Sequence, residues 1–102
     1  MEMKFLAGEV NSFESLNIKP FEFEGKKIAV VRVEGIFYAF KNACPHQFVP
    51  LDMGMIRKGM VICNFHGWMF SLKTGDCGVN PMCKLPIYSV EIVENQVWVE
   101  LE

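Results

Sequence analysis

Long apolar runs, blocks of one charge sign and clear helical periodicity are all missing from this sequence. The unbroken apolar stretches, such as residues 28–31, fall far short of the roughly 20 residues that cross a bilayer, so no helical membrane anchor is expected. Ten basic and twelve acidic residues are interleaved to a formal charge of −2, which leaves no basic stripe to follow a phosphate backbone; nucleic acid is not the expected partner. The opening Met1-Glu2-Met3-Lys4-Phe5-Leu6 lacks the charged, apolar and small-residue stages of a signal peptide, so a cytoplasmic location is expected. There is no internal repeat and no low-complexity tract. Histidine is scarce too, with only two in the chain.

What is present suits one small core. A chain of 102 residues that is 51% apolar can close one hydrophobic interior, so a single domain over 1–102 is expected. Four cysteines would permit two disulfides in a secreted protein, but two of them stand beside the histidines, and metal ligation is the better reading.

Short β-branched and aromatic segments separated by Gly or Asn dipeptides read as strands. Residues 27–33 and 36–40 flank Glu34-Gly35, a two-residue link suited to a tight hairpin because glycine accepts positive φ without steric cost. Residues 89–93 and 96–101 flank Glu94-Asn95, with Val97, Val99 and Leu101 alternating against Gln96, Trp98 and Glu100, and form a second expected hairpin. Residues 3–6 and 21–23 are weaker strand candidates, and 11–15 has the polar start of a helical turn. Between 42 and 86 Gly and Pro become frequent, and every cysteine and histidine falls there. The expectation is all-β: an antiparallel sandwich or barrel-like base from 1–41 and 87–102, carrying an inserted loop-rich subdomain over 42–86 that bears the site.

The chemistry concentrates in Cys44-Pro45-His46 and, sixteen residues on, Cys63-Asn64-Phe65-His66. Thiolate and imidazole are accepted by iron–sulfur clusters and by zinc alike, so ligand type alone does not choose the metal. The commonest zinc finger pairs Cys with Cys and His with His. Here each loop offers one of each, which suits a binuclear cluster whose one iron takes both cysteines and the other both histidines.

The pattern C-x-H, sixteen residues, C-x-x-H resembles the ligand motif of the Rieske family. The run from His66 through Gly67, Trp68, Phe70, Leu72 and Thr74 to Gly75 is similar to the H-G-W-x-F-x-L-x-T-G stretch of bacterial Rieske-type ferredoxins and oxygenases. The likeness spans roughly the whole chain. It implies the Rieske fold and one [2Fe–2S] cluster per chain. Cys44 and Cys63 would bind one iron, and His46 and His66 the other through Nδ1. It also implies cluster surroundings drawn from Gln47, Phe48, Val49, Phe65, Gly67, Trp68, Phe70 and Pro81, the last in an Asn80-Pro81-Met82 stretch like the family's proline loop. Val49 and Phe65 stand where the cytochrome bc branch has disulfide cysteines, and Trp68 and Phe70 where it has hydroxyls. Without hydroxyl hydrogen bonds to sulfur, a potential towards the low end of the family range is expected.

The implied role is that of a one-electron carrier, probing no substrate chemistry of its own, which takes electrons from a flavin-dependent reductase and passes them to a Rieske-type oxygenase. A monomer is expected. An oxygenase catalytic subunit is excluded, because its mononuclear iron needs two further histidines and none is left over. The alternatives are the Rieske-like small subunit of a nitrite reductase and, from another class, a structural zinc domain for protein interaction. Cys77 and Cys83 match no ligand position and are expected as free thiols, with a local disulfide as the alternative. Met53, Met55 and Met60 are expected as adaptable packing rather than as ligands. Lys26-Lys27 reads as a solvated strand edge.

Overall fold

The computed structural model describes residues 3–45, 49–64, 67–78 and 82–101. Both expected hairpins form. β3 (Lys26–Val33) pairs with β4 (Ile36–Lys41) across Glu34 and Gly35, at φ 50° and 83°. β8 (Ile87–Val93) pairs with β9 (Gln96–Leu101) across Glu94 and Asn95, at φ 49° and 71°. Two consecutive residues at positive φ make the link whose twist matches that of the flanking strands. The same device joins β2 (Lys19–Phe23) to β3 through Glu24 and Gly25.

The weaker candidates are strands as well. β1 (Met3–Glu9) runs three residues beyond the expected end and pairs with β9, with a bulge between Leu6 and Gly8. The expected helical turn is a single 3-10 turn, Val10–Ser12, one residue earlier than the polar signal suggested. Lys26 and Lys27 are exposed as expected, but they begin β3, which lies between β4 and β2 and so is not a sheet edge.

The large sheet runs β1-β9-β8-β4-β3-β2, all antiparallel. Its two edges approach through aromatic rings: Phe5 on β1 stacks on Phe23 at 5.2 Å and tilts against Phe21 of β2 at 5.8 Å. The sheet therefore curls into a nearly closed barrel. Val97, Val99 and Leu101 point into it with Ile28, Val30 and Ala39, as the alternation in β9 requires.

The middle of β3 is buried on both faces, and this places the site. Ile28 and Val30 face the barrel interior, while Ala29 and Val31, with Phe40 of β4, face a second apolar cluster outside the barrel. That second cluster contains Cys44, Cys63 and Cys77 together with Leu51, Val61, Phe70, Leu72 and Leu85. β3 and β4 are thus a shared wall between the barrel and the cysteine-bearing lobe.

The lobe is more regular than its Gly and Pro content suggested. β5 (Met55–Arg57), β6 (Met60–Ile62) and β7 (Met69–Ser71) form a small antiparallel sheet in the order β5-β6-β7. The β5–β6 link is Lys58-Gly59 at φ 52° and 77°, the same two-residue device used in the base. Among the described residues there is no α-helix, and no helix long and apolar enough to cross a membrane.

Candidate metal centre

The two cysteine boxes are built alike. Cys44 follows β4, and its backbone N–H donates to the carbonyl of Val49 at 2.7 Å. Cys63 follows β6, and its N–H donates to the carbonyl of Trp68 at 2.8 Å. In each case the acceptor lies five positions on, so each cysteine sits at the stem of a closed loop. The second loop is the turn of the β6–β7 hairpin, whose last laddered pair is Ile62 with Met69. Its closure is tightened by Gly67, which donates to the Cys63 carbonyl at 3.1 Å from a backbone at φ 72°, where a Cβ would be strained.

The first loop is held from outside by Asn42, which is 7% exposed. Its Oδ1 accepts the N–H groups of Leu51 and Asp52 at 2.8 and 2.9 Å, and its Nδ2 donates to Asp52 Oδ1 at 3.1 Å. The Asn42 N–H donates in turn to the Lys27 carbonyl of β3 at 2.9 Å. Sequence reasoning missed Asn42. The signal available was an Asn at the end of a strand, two residues before a ligand candidate, a place where a short amide can bond neighbouring backbone.

Cys44 and Cys63 are 0% and 1% exposed and lie in the same apolar cluster. Phe70 is fully buried there, and Val49 and Trp68 pack against it half-buried. The structure therefore brings Cys44, Cys63, Val49, Trp68 and Phe70 together, with Phe70 as core, and leaves Gly67 at the surface. His46, Gln47, Phe48, Phe65, His66 and Pro81 lie outside the described residues. Among the described residues no group of three or more His, Cys, Asp or Glu side chains gathers. Met53 and Met55 are not packing residues: they are 65% and 60% exposed, because they lie on the turn before β5 and at its start, beyond the reach of the core, while Met60 on the central strand is half-buried.

The donor set fits an iron–sulfur group. Two cysteines buried in one apolar cluster offer soft sulfur donors away from water, and bonds to a soft metal would offset the cost of burying them ionised. The apolar shell also keeps water away from the sulfur, which is one of the levers that sets a cluster's potential.

Known proteins resemble this chain in sequence and in fold. The profile of the Rieske [2Fe-2S] domain family matches residues 3–89. The ferredoxin component of naphthalene 1,2-dioxygenase/salicylate 5-hydroxylase systems from Ralstonia sp. is 32% identical over 79 residues, covering 76% of this chain and 76% of that protein. Among solved structures, a chain described as an NADH-dependent nitrite reductase small subunit from Mycobacterium tuberculosis superimposes with a TM-score of 0.92 at 20% identity, covering 100% of this chain and 97% of that one. A chain from the complex of reduced oxygenase and oxidized ferredoxin in carbazole 1,9a-dioxygenase gives 0.85 at 27% identity, covering 93% and 99%. The match spans only part of some relatives: 15% of human apoptosis-inducing factor 3 and half of an alkene monooxygenase ferredoxin component from Xanthobacter autotrophicus.

Proposed function

Because this chain belongs to the Rieske [2Fe-2S] domain family, we propose that it carries single electrons from a flavin-dependent reductase to a terminal Rieske-type oxygenase, using a cluster held by Cys44, His46, Cys63 and His66. A domain of this family holds a [2Fe–2S] cluster and serves as an electron carrier, not as a catalyst. When bound, the cluster supplies reversible storage of one electron. In this reading the chain is a single domain, with 1–41 and 87–102 as the base and 42–86 as the cluster-bearing part, working as a monomer in the cytoplasm.

The observation that carries the reading is the burial of Cys44 and Cys63 in one apolar cluster, each at the stem of a loop closed to the fifth residue on. The chain's own residues then do three things. The loop stems fix the two sulfur donors, Asn42 fixes the first loop to the β3 wall, and Leu51, Phe70 and Leu72 exclude water from the sulfur side. The two histidines, from the spans between stem residues, supply the nitrogen donors of a mixed-ligand cluster.

The oxygenase partner is supported by the Ralstonia relative and by the ferredoxin solved with an oxygenase. The end-to-end superposition on a nitrite reductase small subunit supports a second reading, in which the electron goes to a large reductase subunit. Affinity capture of the tagged holoprotein from its native cells separates the two. Recovery of an oxygenase that the reduced chain re-oxidises fits the first reading; recovery of a large nitrite reductase subunit fits the second.

A further inference from the structure

Two cysteines have no place in the site described above, and the strand register brings them together. Asp76 and Lys84 form an antiparallel bridge, flanked on one side by the Leu85 N–H donating to the Gly75 carbonyl at 2.9 Å. One step along the same register, on the other side, Cys77 stands opposite Cys83. Directly opposed residues of an antiparallel pair have Cα atoms about 4.5–5.5 Å apart, within the roughly 4.4–6.8 Å that a disulfide spans. The two side chains are near enough for Cys77 to act on the Cys83 thiol.

The Cys77 side of the pair is fixed. Cys77 also bridges Phe70 of β7, through Ser71 N–H to the Asp76 carbonyl at 2.9 Å and Gly78 N–H to the Met69 carbonyl at 3.1 Å. It is 8% exposed, whereas Cys83 is half-buried and open to a small reagent. Both are thiols in this structure.

We propose that Cys77 and Cys83 are a redox-active pair that closes to an intramolecular disulfide when a low-molecular-weight disulfide, such as glutathione disulfide, reaches Cys83. The Cys83 thiolate attacks one sulfur of the reagent and releases one small thiol. The Cys77 thiolate then attacks the Cys83 sulfur of the mixed disulfide and releases the second. The two protein thiols lose two protons and two electrons, and the reagent gains them as two thiols. The closed form is a covalent staple across the strands beside β7, in a lobe whose Val49 and Phe65 leave it without the loop-bracing cysteines noted above. Burial, followed by the neighbouring Cys77, pushes the Cys83 thiol above the usual range, which keeps this attacking thiol protonated at neutral pH and makes the exchange faster in alkali.

The test is direct because trypsin releases residues 74–84 as one peptide holding both thiols and neither Cys44 nor Cys63. Anaerobic holoprotein is equilibrated in a series of reduced and oxidised glutathione, quenched with acid, alkylated under denaturing conditions, digested and weighed. The expected result is a peptide carrying two alkyl groups at the reducing end, replaced at the oxidising end by one that is unalkylated and lighter by two hydrogens. Cys77→Ser should instead accumulate a lasting glutathione adduct on Cys83. A wild-type peptide that stays doubly alkylated throughout, or that stops at the glutathione adduct, overturns the proposal. Neither outcome depends on the identity of the electron partners.

Discussion

Asn42 Oδ1 accepts the Leu51 backbone N–H at 2.8 Å, across the span that contains the first cysteine box. Leu51 is fully buried, so this amide has exchanged water for one side-chain oxygen. Since the Asn42 N–H is bonded to Lys27 of β3, one residue ties the far end of the box to the barrel wall.

Asn42→Ala should therefore destabilise the protein by about 1–3 kcal/mol, the cost of stranding a buried amide. Asn42→Asp keeps the acceptor but loses the donor and sets a carboxylate against Asp52, whose Oδ1 lies 3.1 Å from Asn42 Nδ2. It should also destabilise, and adding Asp52→Asn should restore part of the loss. Guanidinium unfolding of the single and double variants checks this. Additive effects would show that the two side chains are not coupled.

Gly75 and Gly35 share a φ of 83° but not their surroundings. A Cβ at Gly75 would run into the Leu85 carbonyl, whereas at Gly35 nothing lies within 4 Å. Alanine costs the same backbone strain at both. Gly75→Ala should be worse by about 1–3 kcal/mol, the usual range for forcing extra atoms into a packed site. Equal unfolding midpoints for the two variants would refute the close approach.

Tyr88 lies opposite Ala39 where β8 meets β4, and burial pushes its hydroxyl above the usual tyrosine range. The native state thus holds this proton more tightly than the unfolded chain does. The stabilisation is fully present below the unfolded value of about 10 and is lost as pH rises through the native value. Stability measured from pH 8 to 11 should fall more steeply in the wild type than in Tyr88→Phe. Parallel curves would contradict it.

Trp68 and Phe70 bring an indole and a phenyl ring to the second box, and neither can donate a hydroxyl hydrogen bond to sulfur. The reduction potential should lie below about +150 mV, in the lower part of the roughly −150 to +300 mV family range. Protein-film voltammetry gives the value directly, and a higher reading would mean that other donors reach the sulfur.

How much of this was legible in the sequence depends on the kind of signal. Glu34-Gly35 and Glu94-Asn95 were readable because two-residue links fix hairpin geometry locally, and Val97, Val99 and Leu101 were readable because strand period fixes their face. Lys58-Gly59 carries the same mark, but β5, β6 and β7 have only three residues each, too short for alternation to register amid the surrounding Gly and Pro. The two boxes were legible as a ligand pattern. Their common closure to the fifth residue, the Asn42 clasp and the opposition of Cys77 to Cys83 depend on backbone pairing across turns, which residue types alone do not reveal.

The central claim is a cluster with mixed sulfur and nitrogen ligation, and electron paramagnetic resonance of the dithionite-reduced, anaerobically purified protein tests it most directly. The account predicts a spectrum of one reduced binuclear cluster per chain, with an average g below that of all-cysteine clusters, because histidines replace cysteines on one iron. A silent, colourless protein holding stoichiometric zinc, or a spectrum with the average g of all-cysteine ligation, would contradict it.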